Sequence, residues 1–195
     1  MISTQNQKTH HAPMTNALAM GMALKKMYEM GRKNFASENF SGLKLSCCKL
    51  TAINFTSTDL RKADLDMTDL SESDLREANL EGATISFANL TNANLSNANL
   101  KDSNLGGADL SGAILRGANL SNSNLRGANL SNASLEFVNL QGADLTGANC
   151  FGCNLSYANL QHSNLTEVCL DNANLLKSNF EYALLDGTTL NNASY

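Results

Sequence analysis

The chain has 195 residues, a net charge of −4, no Trp and one Pro. That acidic balance excludes a nucleic-acid binder of the basic kind, and no apolar run approaches the roughly 20 residues that cross a bilayer. The charge is uneven: residues 1–33 hold five basic residues against Glu29, whereas residues 34–195 hold nine against seventeen acids.

Residues 1–13 are polar, include His10 and His11, and read as a flexible N-terminal tail. Residues 14–33 read as a capping helix. Met14, Leu18, Met22, Leu24, Met27, Tyr28 and Met30 recur at near-helical spacing, Thr15 or Asn16 can cap the start, and Gly31 sits near the end. Such a helix covers the open mouth of whatever follows; the alternative is a Met-rich face for a partner or a membrane surface. The apolar stretch Ala17 to Leu24 precedes Lys25 and Lys26, the reverse of a secretory signal. We expect a cytoplasmic protein. Its odd set of cysteines (Cys47, Cys48, Cys150, Cys153, Cys169) fits reduced thiols.

From Phe35 to Leu190 every fifth residue is Leu or Phe, with Ile85 and Cys150 as the apolar exceptions. A small side chain, most often Ala, stands two residues before most of these centres, and Asn or Asp usually stands one before. Ala78-Asn79-Leu80 and Ala143-Asp144-Leu145 show the pattern. Two residues follow each centre and complete the repeat. Period five suits neither simple element. On an α-helix the leucines would drift around the cylinder, and on a flat strand they would alternate between faces. The chain must bend in one sense once per repeat, as a solenoid does.

This A-(N/D)-L-x-x pattern resembles the pentapeptide-repeat family over residues 34–195. The resemblance implies an all-β solenoid: a right-handed quadrilateral β-helix of about eight coils, with the N-terminal capping α-helix at one end. Four repeats would make a coil, and coils at about 4.8 Å would give a rod roughly 40 Å long. Centres and small residues would point inward and the other three positions outward. Gly and Asn crowd the last position of the repeat after about residue 90, which predicts type II corners there and irregular ones before.

No catalytic apparatus, metal site or cofactor site is visible. Cys150 and Cys153 hold inward positions and read as core, although their places around one corner leave a strained disulfide open. No second ligand pair accompanies them for zinc. His162 stands alone on an outward position. Residues 20 apart should stack in columns. Phe137 and Tyr157 form an aromatic pair of this kind, with Leu176 on the next coil and Phe151 on the neighbouring face. These four are the candidate partner surface. Arg61, Glu81 and Lys101 form a charged column, and Cys47, Met67 and Phe87 an apolar one. Leu176, Tyr182, Leu184, Leu190 and Tyr195 are the candidate end of a homodimer.

The expectation is a non-catalytic protein–protein interaction module, regulatory in role, with a protein partner and no direct contact with nucleic acid or membrane. The resemblance adds an alternative, since some relatives mimic DNA and bind DNA gyrase. The acids from Asp59 to Glu81 would serve that purpose but span little more than one coil. Those relatives dimerise through their C-terminal ends, which implies the end-to-end homodimer.

Overall fold

The computed structural model describes residues 17–195. The tail at 1–13 and the residues named as helix caps, Thr15 and Asn16, lie outside the described residues. Among the described residues helix α1 spans Ala17–Glu29, so residues 30–33 of the 14–33 segment lie beyond its end. It ends in a Schellman motif. The Arg32 amide donates to the Met27 carbonyl (3.0 Å) and the Gly31 amide to the Tyr28 carbonyl (2.9 Å), with Gly31 at φ 97°. Among the described residues no helix is long and apolar enough to cross a membrane.

After α1 the chain winds through isolated parallel bridges, each between residues 20 apart, from Asn34↔Asn54 to Asn174↔Ser194. Four pentapeptides therefore make one coil. The repeat at Ala118–Asn122 shows why five residues suffice, because each of its amides has an assigned acceptor. Ala118 closes the preceding corner on the Leu115 carbonyl (2.9 Å). Asn119 donates back one coil to Ala98 (2.9 Å). Leu120 and Asn122 donate forward to Asn139 (2.7 Å) and Gln141 (2.9 Å). The remaining amide, of Ser121, donates to the Asn119 side-chain oxygen (3.1 Å). The Asn/Asp preference follows: that side chain meets the fifth donor from within the same repeat, without a further strand. Asn adds a second bond, its Nδ2 donating to the Asn of the preceding coil. This links Asn159, Asn139, Asn119, Asn99 and Asn79 in one ladder.

The centres from Phe35 to Leu175 and most of the small residues between them form one continuous core. At its N-terminal end Phe35, Phe40 and Phe55 pack with ring centroids 6.1 Å apart. Small-position hydroxyls are buried but satisfied: Ser123 donates to the Leu120 carbonyl (2.7 Å) and Thr58 to that of Phe35 (3.0 Å). Helix α1 covers the Phe-lined mouth with fully buried Leu24 and with Met20, Met27 and Tyr28 against the core. It approaches so closely that a Cβ on Gly21 would lie 2.0 Å from the Lys44 carbonyl oxygen.

The corners correct one expectation. Every corner from Ser37 to Asn192 has positive φ at its second residue, whatever its side chain, including Lys62, Met67, Glu72 and Phe87. From Phe40 onward each is closed by a bond to the centre carbonyl. The early corners are as regular as the late ones. Stacking against neighbouring coils imposes the left-handed conformation even where Gly or Asn is absent, overriding its local cost.

Candidate protein-interaction surface

Phe137 and Tyr157 are second corner residues of successive coils, so positive φ and the coil spacing aim both rings outward in register. Their rings stack with centroids 5.0 Å apart and planes 15° from parallel. They are 53% and 44% exposed, which leaves a substantial apolar edge in water. The Arg116 guanidinium lies over Phe137 at 5.6 Å and the Lys177 ammonium over Tyr157 at 5.3 Å. The column is thus cation, ring, ring, cation over four successive coils.

The other surface candidates separate. Phe151 is exposed but is a first corner residue on the preceding corner, and no ring contact joins it to the stack. Leu176 is exposed one coil beyond Tyr157, beside Lys177. A second stack, His162 on Tyr182 at 5.0 Å, went unforeseen. Its signal was the same 20-residue spacing, with a histidine in place of one ring. Ile114 also went unforeseen. It is exposed in a position that normally holds Asn or Asp, and the break in that consensus was the legible sign.

At the C-terminal end Leu175, Phe180, Leu185, Leu190 and Tyr195 line an open apolar cavity of about 130 Å³. Leu185 and Leu190 are partly exposed and Tyr195 is 71% exposed, so Tyr195 rims this mouth without closing it. Of the proposed dimer residues, Leu190 and Tyr195 lie at the mouth. Leu176, Tyr182 and Leu184 are exposed but are not part of its lining.

Three of the eight acids between Asp59 and Glu81 are ion-paired. Asp59 pairs with Arg61 (2.7 Å), Asp74 with Arg76 (2.6 Å) and Asp64 with Lys44 (3.3 Å). Bonds from the arginine side chains hold the carboxyls of Asp59 and Asp74 below their ordinary range, and the Ser46 hydroxyl does the same for Asp64. Cys150 and Cys153 are buried. The adjacent Cys153 side chain and full burial push the Cys150 thiol well up, away from the reactive thiolate. Among the described residues no cluster of His, Cys, Asp and Glu could hold a metal.

The family model described as pentapeptide repeats matches the chain in eight copies, over residues 39–77, 78–117, 113–149 and 153–192. Among solved structures, trypsin-treated QnrB1, a plasmid-mediated fluoroquinolone resistance protein, is 17% identical. It aligns over 82% of each chain with a TM-score of 0.64, a likeness of fold. HetL of Nostoc sp. strain PCC 7120, involved in heterocyst differentiation regulation, is 29% identical over 88% of this chain and 92% of its own, with a TM-score of 0.29. A thylakoid-lumen pentapeptide repeat protein of Arabidopsis thaliana is 33% identical over 51% of this chain and 66% of its own, with a TM-score of 0.40. No curated protein matches the chain.

Proposed function

The chain belongs to the pentapeptide-repeat family, and from that premise we propose that it is a non-catalytic protein-interaction module. The coils form a rigid rod that presents fixed side-chain columns to a protein partner in the cytoplasm, in a regulatory role. The observation that carries this reading is the exposed Phe137–Tyr157 stack. Water-exposed aromatic surface of this kind, rimmed by Arg and Lys, has the composition of an interface centre. The rod holds it in place, so little ordering free energy is lost on binding.

The experiment is capture from a lysate of the native cell by the unmodified chain and by the double variant Phe137→Ser, Tyr157→Ser. Both rings are corner side chains outside the core, so the variant should melt within a few degrees of the parent while losing the captured protein. Equal capture by both chains would sink this surface as the site.

A second element of the proposal is an end-to-end homodimer. Its support is the apolar mouth rimmed by Leu185, Leu190 and Tyr195, together with exposed Tyr182 and Leu184 beside it. The gyrase reading is weaker. A DNA mimic needs negative charge along the whole rod, whereas the eight acids from Asp59 to Glu81 span little more than one coil and three of them are tied to Arg61, Arg76 and Lys44.

A further inference from the structure

We propose that the Phe137–Tyr157 column recognises an acidic, extended segment of its protein partner, with Arg116 and Lys177 taking two carboxylates and the rings an apolar side chain between them. This rests on the interaction-module reading and adds the chemistry of the partner.

Two observations point to acid. The first is which parts of the rings remain free. Phe137 is covered by Arg116 on one side and Tyr157 on the other, and Tyr157 by Phe137 and Lys177. A cationic partner would need an open ring face. What the column offers is ring edges, which carry the positive side of the quadrupole. The second is charge. After Gly82 the chain has four basic side chains: Lys101, Arg116, Arg126 and Lys177. Lys101 lies 3.9 Å from Asp102 and Arg126 3.0 Å from Asp144. Among the described residues, the two of these four without an ion pair are the two that cap the stack. Glu136, the acid next to Phe137 in sequence, forms no ion pair among the described residues: its Oε1 accepts from Asn154 Nδ2 (2.8 Å) and its Oε2 is buried without a hydrogen-bond partner.

The spacing sets the shape of the partner. Arg116 and Lys177 are three coil steps apart, roughly 14 Å at about 4.8 Å per step. An extended strand covers about 13 Å in four residues, and its residues i, i+2 and i+4 share a face. The segment that fits therefore carries acid, apolar and acid side chains at alternate positions. A protein is favoured over a nucleic acid because two cations on a rod with seventeen acids beyond residue 33 would not hold a polyanion against the field of the whole.

The test uses fluorescein-labelled Ser-Glu-Thr-Leu-Thr-Glu-Ser, the same peptide with Lys in place of Glu, and oligo-dT. Anisotropy is read against the full chain and against the Arg116→Glu, Lys177→Glu double variant, at low and moderate salt. The acidic peptide should bind the parent, lose affinity with salt, and bind the variant about tenfold or more weakly. An unchanged melting temperature would show that the variant is folded. Preference for the Lys peptide or oligo-dT, or equal binding of the acidic peptide to both chains, would overturn the proposal. The two readings fail separately. If native capture depends on Phe137 and Tyr157 but ignores the charge reversal, the module stands and the acidic partner falls.

Discussion

Substituting Gly21 by Ala gives opposite answers according to whether α1 is docked. In a free helix the change adds about 1 kcal/mol of helix stability. In the docked helix the new Cβ would lie 2.0 Å from the Lys44 carbonyl oxygen and 3.1 Å from its carbon, both backbone atoms of a bonded coil. Ordinary contact begins near 3.4 Å, so the helix must retreat by about 1.4 Å. Overpacking of this kind costs about 1–3 kcal/mol. A full retreat would also uncover Leu24, whose burial contributes about 1.5–3 kcal/mol. The net expectation is a cap weakened by about 1–3 kcal/mol, with the later coils unaffected, because each coil contacts only its neighbours. Hydrogen exchange read by mass spectrometry on the α1 peptide gives the cap directly, and tryptic cleavage at Lys25 and Lys26 gives it independently. Faster exchange in α1 with unchanged exchange beyond Leu90 is the predicted result. Slower exchange in α1, the outcome expected of helix propensity alone, would refute the docked geometry.

Leu120 is a buried centre and Ser121 a half-buried corner residue. Leu120→Lys should therefore cost several kcal/mol in a thermal melt and Ser121→Lys about 0.5 kcal/mol or less; equal effects would contradict the inward assignment. Asp59, Asp64 and Asp74 have depressed carboxyl values in the folded chain. Their contribution should thus be complete above the ordinary Asp value of about 4 and fade as pH falls below it. An acid titration of the melting temperature should show that loss in the parent and less of it in an Arg61→Gln, Arg76→Gln variant. Sedimentation equilibrium at tens of micromolar should find a dimer that Leu184→Glu splits, and a monomeric parent would rule the end-to-end dimer out.

The period-five centres made the solenoid legible, since no helix or flat strand could bury Phe35 through Leu190 together. The 20-residue column rule likewise placed Phe137 over Tyr157, because the corner directs both rings the same way. The uniform corners are not legible from Gly and Asn alone, because positive φ here is held at side chains of many kinds. The better mark was an exclusion. From Ser37 to Asn192 the second corner residue is never Val, Ile, Thr or Pro, the residues for which φ near +60° is most costly or impossible. The approach of α1 to Lys44 was also hidden, because it depends on Gly21 lacking a side chain and periodicity counts only the side chains present. The pairing of Arg116 and Lys177 with the rings joins residues that ordinary charge counting treats as unrelated.

A coil of 20 residues built from interchangeable five-residue steps makes the rod tolerant of one kind of length change and sensitive to its phase. Removing a single pentapeptide between the acidic belt and Phe137 would leave every remaining centre at a centre, each amide could find an equivalent acceptor, and the core would stay filled. Every column beyond the cut would nevertheless turn by one face. The aromatic pair would then look out in a direction a quarter turn from the one it now takes relative to α1 and the belt. Removing four pentapeptides would shorten the rod by one coil and restore the original bearing. In this fold, loss of stability and loss of alignment are separable lesions, and a chain can be sound along its whole length while pointing its contact surface the wrong way.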